Sequence, residues 1–395
     1  MVAPIQVSIY YDRGSSTAEE TANNIEKLFR KLFPALSFNK FRHTDPRESY
    51  FHADLNIHMG WPVLAAVPWA LANIAVRYEG ESAWCEVWGQ ALNYGKFDEV
   101  INATDLLVEG SEAVQMAAKS ACDKVLARRP KHGVVHCPPF IVSEDCPPIS
   151  IVTPSSMRKD MIDIAFHNLL STDYPHDKIE WVVVEDSDKS ENMMSDRIIN
   201  FQANAPTIRV KYIPIQGRMS IGEKRNIGVE HTTNDIVLFM DDDDHYPPTS
   251  FRRRVSWLLK GRRGDTIGAD VAVCTSIAMY DLQRGVSAVN VPPWNIPLAQ
   301  RISEATLTFR KSFWEERKFT DTSMAEGEGW ITGRENAVLE MTPQHIIVAF
   351  THGANMSSRR VAPVDAKVGC FWGFPKEYLL FIHKLVGVDI VEDTK

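Results

Sequence analysis

Cysteine is scarce and scattered. Cys85, Cys122, Cys137, Cys146, Cys274 and Cys370 form no CxxC pair and no close Cys/His cluster. That argues against structural zinc and against a disulfide framework, and reduced thiols in a reducing compartment are expected. Long apolar runs are missing too. The longest, WPVLAAVPWALANIAV at 61–76, is 16 residues long and contains Pro62 and Pro68, too short and too broken to cross a bilayer; a buried helix is expected there. Basic residues are not in excess, since the formal charge is −8. This speaks against a nucleic-acid partner, which calls for a basic surface. The opening MVAPIQVSIYYDRGSS lacks a basic stretch followed by an apolar core, so no secretion signal is read and a cytoplasmic location is expected. The N-terminal half contains no GxGxxG phosphate loop.

What is present reads as α/β. A chain of 395 residues calls for two domains. The stretch KHGVVHCPPFIVSEDCPPIS, with two Cys-Pro-Pro triplets, marks a stiff connection and places the boundary near 145. Domains of 1–145 and 146–395 follow. In the first, IQVSIYY, HADLNIHMG, NIAVRYEGE and HGVVHCPPF read as strands. DRGSSTAEETANNIEKLFRKLF reads as a helix with Ile25, Leu28, Phe29 and Leu32 at helical spacing. In the second, ISIVTPSS, IEWVVVEDSD, RVKYIPIQG and DIVLFMDDDD read as strands, with MRKDMIDIAFHNLLSTDY and SIGEKRNIGVEHT as helices between them. Alternating strands and helices predict parallel sheets with helices on their faces.

Several of those strands end in acids or hydroxyls: Thr153-Pro154-Ser155, Glu185-Asp186, and the run Asp241 to Asp244 after IVLFM. Ligands of open parallel sheets bind beyond the carboxyl ends of the strands, so groups 55 residues apart in sequence converge on one rim. Hard oxygen ligands suit Mg²⁺ or Mn²⁺, which take a few carboxylates and the phosphates of a substrate. A solvated acidic turn is the plainer alternative, but it fits poorly with the buried-strand composition before the run and the HYPP stop after it.

In order, these segments resemble a family 2 glycosyltransferase domain of the GT-A fold, from residue 148 to about 360. ISIVTPSS resembles the opening strand of that family. EWVVVEDSD resembles its second acidic strand end, and GRMSIGEKRNIGVEHTTNDIVLFMDDDD resembles its ARN-to-DxD segment, with Gly217, Arg225, Asn226 and Gly228 matching. The resemblance implies a nucleotide-sugar donor, with UDP favoured by family frequency, and donor contacts at Thr153, Pro154, Ser155, Asp186, Arg225 and Asp241. It implies Mn²⁺ or Mg²⁺ held by the DxD at Asp241 and Asp243, completed by His352 from AFTHGANMSSRR. Glu185 and Asp188 stand where the family has Asp and Ser, and four consecutive aspartates leave Asp244 as an alternative to Asp243.

An inverting transfer to an acceptor hydroxyl needs a carboxylate base on the acceptor side. The segment AEGEGW offers Glu326 and Glu328. It resembles the family's ED region, which makes Glu328 the expected base and Glu326 its orienting or acceptor-binding neighbour. A glycan or other hydroxyl compound is the expected acceptor. The helix SFRRRVSWLLKGRR is expected to turn its arginines to solvent, opposite Val255, Leu258 and Leu259. His245 is the weaker metal contender. The N-terminal half resembles one Rossmann-like half of a GT-B glycosyltransferase, expected to be non-catalytic or acceptor-binding, and the pairing resembles enzymes encoded by large DNA viruses of algae, which would place it in a host cytoplasm. The rival readings are a sugar-phosphate nucleotidyltransferase, which wants a glycine-rich loop absent from IVTPSSMRKD, and a degenerate carbohydrate-binding protein without catalysis.

Overall fold

The computed structural model describes residues 5–11, 16–34, 36–42, 54–59, 72–77, 98–128, 145–156, 159–263, 266–290, 297–341, 345–353, 369–370 and 372–388. The chain divides into two compact units. One consists of Met1–Pro138, Gly261–Ile267 and Val291–Asn295, and the other of Pro139–Lys260, Gly268–Asn290 and Ile296–Lys395.

The first unit is built on five parallel strands, β1 (Gln6–Tyr11), β2 (Ser37–Arg42), β3 (Leu55–Met59), β4 (Ala72–Arg77) and β5 (Glu99–Asn102). Their order is β2-β1-β3-β4-β5. Helix α1 (Ser16–Leu32) links β1 to β2, and α2 (Glu112–Arg128) follows β5. Val7, Ile9, Ile57, Ile74 and Val76 are buried with Ile25 and Phe29 of α1 and with Val114, Ala118 and Val125 of α2. Apolar strands covered by helices make this a Rossmann-like parallel-sheet unit, as expected. The short antiparallel ribbon of β10 (Arg262–Arg263) and β11 (Thr266–Ile267) also belongs here. The helix expected over 61–76 needs correction. Residues 72–77 are strand β4, where the alternation of small and β-branched residues suits a central strand better than a helix. Residues 61–71 and the strand expected in HGVVHCPPF lie outside the described residues.

The second unit carries a seven-stranded mixed sheet in the order β16-β12-β15-β9-β6-β7-β8. Its strands are β6 (Ile149–Ser156), β7 (Ile179–Ser187), β8 (Arg209–Gln216), β9 (Ile236–Phe239), β12 (Val271–Val273), β15 (Thr308–Arg310) and β16 (Val338–Glu340). Strands β9-β6-β7-β8 run parallel, and β15 is antiparallel to both β9 and β12. Three further strands, β13 (Ile277–Asp281), β14 (Val286–Asn290) and β17 (Val348–Thr351), form a second sheet in the order β14-β13-β17. Helices α3 (Ile162–Ser171), α4 (Ser195–Asn204), α5 (Ile221–Glu230) and α6 (Ser250–Lys260) join the strands. Two short helices, α7 (Lys311–Glu316) and α8 (Glu328–Ile331), follow, and α9 (Lys376–Leu385) comes last.

The chain runs outward from β6 through β7 to β8, then returns to the other side of β6 as β9. That reversal opens a crevice at the carboxyl ends of β6 and β9, where open α/β sheets bind ligands. The β6–β9 register ends at Val152 opposite Phe239, whereas β6–β7 continues to Ser156 opposite Asp186. Pro154, which has no N–H to donate, therefore falls where the ladder on the β9 side has already ended. Helix α5 packs at Gly228 directly onto the Val152 side chain of β6: a Cβ there would stand 2.3 Å from Val152 Cγ1. Its N-terminus is closed by a capping box between Ser220 and Glu223. There Gly222 donates to Thr322 O at 2.9 Å, and a Cβ would lie 1.9 Å from Thr320 O.

Candidate active site

The run Asp241 to Asp244 resolves its own repulsion by sending each side chain to a different element. Asp241 meets Arg225 Nη2 at 3.2 Å. Asp242 accepts from Ser155 Oγ at the end of β6. Asp243 Oδ2 lies 3.1 Å from His352 Nε2, just past β17. Asp244 Oδ1 accepts the Phe350 N–H at 2.9 Å, and its carbonyl accepts from Asn168 of α3 at 2.8 Å. The last three carboxylates are buried and Asp241 is partly open. His245 pairs its backbone with Val348 and sets Nδ1 2.8 Å from Tyr378 Oη. Burial, with His167 adding a little, pushes His245 down to about 3, so it is a neutral packing group.

Asp186 stands opposite Ser156 at the end of β7. Its Oδ1 accepts from Lys224 Nζ at 2.8 Å and its Oδ2 from the Met219 N–H at 2.9 Å. Burial works against its charge, but these bonds and one to Ser156 hold its carboxyl below the ordinary carboxylate range. Lys224 Nζ also donates to Ser155 O at 3.0 Å. Arg218 reaches Ser156 Oγ at 2.9 Å and Asp188 at 3.1 Å, while Glu185 accepts the Met194 N–H and Tyr212 O–H beside the start of α4. Thr153 faces the interior, where its hydroxyl accepts from Trp181 Nε1 at 2.9 Å. The rim at β6 is therefore presented by Ser155 and Ser156 rather than by the Thr153 hydroxyl.

Arg225 is buried at 3% exposure and joins two sides of the site. Its Nη2 faces Asp241, its Nε lies 2.9 Å from Glu326 Oε1, its Nη1 donates to Glu304 O at 3.1 Å, and its guanidinium stacks 4.4 Å from the Phe239 ring centroid. Burial alone would lower its pKa, yet Asp241, Glu326 and Glu304 raise it. The neighbouring Asn226 donates to Phe319 O at 3.0 Å and accepts from Phe319 N–H at 3.0 Å and Trp314 Nε1 at 2.9 Å. Arg225 and Asn226 thus fasten the 304–328 region to α5. Ala325 has a φ of 52° immediately before Glu326, a conformation that strains a residue with a Cβ. Glu328 opens α8, partly exposed, and accepts from Gln300 at 2.7 Å.

Two contributors were not picked out from the sequence. Lys224 was legible only as the neighbour of Arg225. Glu304 carried no signal of its own. It is half-buried, its Oε1 accepts the Gly327 N–H at 3.4 Å, and burial with the charge of Glu326 pushes it up to about 7. The solvated arginine face expected on α6 needs correction. Arg254 is fully buried and donates to Thr308 Oγ1, Phe239 O and Leu307 O at 2.8, 2.9 and 2.6 Å. The strand-end carbonyls offer it better partners than water. Arg253 is buried as well, and Arg252 pairs with Asp173. The side chains of Arg262 and Arg263 lie outside the described residues.

Among the described residues no group of three or more His, Cys, Asp or Glu side chains is arranged to hold a metal ion. Asp243 and His352 form a pair 3.1 Å apart. An ion that takes one or two protein ligands and completes its shell with substrate phosphates and water needs no more, and the mixed oxygen and nitrogen donors suit Mn²⁺. The donor set fits. No described helix is long and apolar enough to cross a membrane.

A parallel sheet with acids at its switch point and a buried arginine behind them agrees with the GT-A fold that the sequence resembles. Residues 150–323 match the family Glycosyl transferase family 2. The mannosyltransferase PcManGT from Pyrobaculum calidifontis, in complex with GDP-Man and Mn²⁺, aligns at 16% identity over 51% of this chain and 56% of its own, with a TM-score of 0.40. TarS 1-349 of S. aureus, in complex with UDP-GlcNAc, aligns at 18% identity over 54% and 61%, with a TM-score of 0.41. Glucosyl-3-phosphoglycerate synthase of M. tuberculosis aligns at 14% identity over 63% and 84%, with a TM-score of 0.36. The chain spans 56% and 61% of the first two proteins' lengths. No curated protein matches it.

Proposed function

We propose that the second unit is a metal-dependent, inverting glycosyltransferase that moves a sugar from a nucleotide-sugar, UDP-sugar first, to the hydroxyl of a glycan or similar acceptor. The observation that carries this reading is Arg225, one buried cation touching both the first aspartate of the acid run and Glu326 across the crevice. Donor-side and acceptor-side acids are thereby held in one frame, which a solvated acidic turn or a simple sugar-binding surface does not require.

In this reading Asp186, kept ionised by Lys224 and the Met219 N–H, accepts from the nucleotide base. Ser155 and Ser156 line the floor of the donor crevice, and Thr153 and Pro154 shape it from beneath. Asp241, Asp243 and His352 would hold the divalent cation, Mn²⁺ or Mg²⁺, which when bound would neutralise the charge of the departing diphosphate. Glu328, at the start of α8 and reachable from solvent, takes the proton of the acceptor hydroxyl as that oxygen attacks the anomeric carbon. Glu326 is held still by Arg225 and orients that region.

Isothermal titration of UDP and GDP, with and without Mn²⁺, on wild type and Asp243→Ala tests the donor half. Binding of one nucleotide that requires the ion and is lost in Asp243→Ala is expected. Metal-independent binding, or none, overturns it. Glu328→Gln is expected to cut transfer by about 100-fold or more while leaving that nucleotide binding in place.

A further inference from the structure

The turn that carries the acid run is laid against β17 step by step, one residue along the turn for every two along the strand. His245 and Val348 exchange both backbone bonds, at 3.0 and 2.8 Å. Asp244 Oδ1 accepts the Phe350 N–H at 2.9 Å. Asp243 Oδ2 then meets His352 Nε2 at 3.1 Å. The first two steps each engage a backbone N–H of β17, and they fix the spacing at which the third falls. Helix α9, which follows the residues 150–323 of the family match, reaches both halves of this arrangement. Its Tyr378 Oη shares a hydrogen bond of 2.8 Å with His245 Nδ1 on the turn. Further along the helix, His383 Nε2 shares one of 3.0 Å with Tyr280 Oη on β13, and Tyr280 stands opposite Phe350 in the β13–β17 register. Tyr378, His245, His383 and Tyr280 are all buried, and the Phe374 ring meets His245 edge-on with 4.9 Å between centroids. Hydrogen bonds closed off from water hold their groups in one direction.

We propose that Tyr378 and His383 of α9 are positioning residues for the Asp243–His352 pair: one tyrosine–histidine bond steadies the turn, the other steadies the sheet that carries His352, and a single helix sets the distance between them. Deleting either tyrosine hydroxyl leaves the apolar seat of α9 among Ile164, Val348 and Phe350 in place, but lets one half of the pair shift against the other. An ion held by so few protein ligands is sensitive to such a shift, because groups that orient metal ligands commonly carry about 10–100-fold of the affinity. The inference rests on the reading of Asp243 and His352 as ligands of a divalent cation.

Titration of Mn²⁺ in the presence of UDP or GDP, followed by loss of the free-ion electron paramagnetic resonance signal, reads the ion directly and needs no turnover. Tyr378→Phe and Tyr280→Phe each remove one hydroxyl and keep the ring, and each is expected to weaken Mn²⁺ binding by about tenfold. Trp372→Phe removes an indole bond of 2.9 Å to Met279 O in the same cluster without touching either tyrosine–histidine bond. It is expected to bind Mn²⁺ as wild type does, although the melting temperature of all three variants falls by a few degrees. Unchanged Mn²⁺ affinity in Tyr378→Phe overturns the proposal, and so does an equal loss in Trp372→Phe, which would make α9 a general prop. A loss in Tyr378→Phe with Tyr280→Phe like wild type overturns the part that concerns His383. If wild type binds no Mn²⁺ with either nucleotide, the metal reading fails and the proposal falls with it. Binding that Asp243→Ala abolishes and Tyr378→Phe leaves intact removes the proposal alone.

Discussion

The two acidic regions that meet at Arg225 solve one electrostatic problem in opposite ways. In the run Asp241 to Asp244 four aspartates are adjacent in sequence, and each finds a partner of its own: Arg225, Ser155, His352 and the Phe350 N–H. Glu304 and Glu326 are far apart in sequence, yet the carbonyl of one and the carboxylate of the other meet the same guanidinium. Successive side chains of a non-helical segment point in different directions, so a dense run of like charge is easy to disperse when different elements border it. Distant residues brought together by tertiary packing have no such freedom and must share. Adjacent charges in sequence are thus a poor guide to which charges interact.

The largest way to break this contrast is Arg225→Met. It leaves Asp241 and Glu326 buried without their cation, and a loss of about 3–5 kcal/mol in urea unfolding is expected. A loss under about 1 kcal/mol would mean the two sides are not joined through this residue. A double-mutant cycle sharpens the contrast. Glu304→Gln with Glu326→Gln is expected to be non-additive by about 0.5–3 kcal/mol, whereas Glu304→Gln with Asp244→Asn, which have no partner in common among those described here, is expected to add within about 0.5 kcal/mol. The smallest effect falls on the backbone. Ala325→Gly relieves the φ of 52° at some cost in unfolded-chain entropy. A net gain of up to about 1 kcal/mol is expected, and a loss would mean that the Ala325 methyl group is itself packed.

Much of the sheet was legible in the chain. The strands ending in TPSS, EDSD and DDDD stand as β6, β7 and β9, because continuous β-branched and aromatic runs bounded by turn residues leave few other structures. The helix SIGEKRNIGVEHT is α5 over Ile221–Glu230. Other features depended on distance in space. WPVLAAVPWALANIAV looks helical by hydrophobicity, but its last residues are β4, and composition alone does not separate a buried helix from a buried strand. The arginines of α6 look like a solvated face until the end of β9 and the start of β15 are placed against Arg254. Thr153 was legible as a strand end, but not the indole of Trp181 that claims its hydroxyl. Glu304 was silent, since a lone glutamate before a strand differs from any surface acid only through Arg225, 79 residues earlier.

Asn226 grips the backbone of Phe319 from both sides and the indole of Trp314. At Phe319 the clamp holds backbone alone, and only Trp314 is held by its side chain. Residues 320–326 are also tied to α5 by Gly222 against Thr320 and Thr322, by Asp321 accepting from Ser220 Oγ, by Ser323 accepting from the Ile221 N–H, and by Glu326 on Arg225. The Asn226 hold depends so little on local side chains that the segment it anchors is a replaceable part of the fold wherever those other ties are kept.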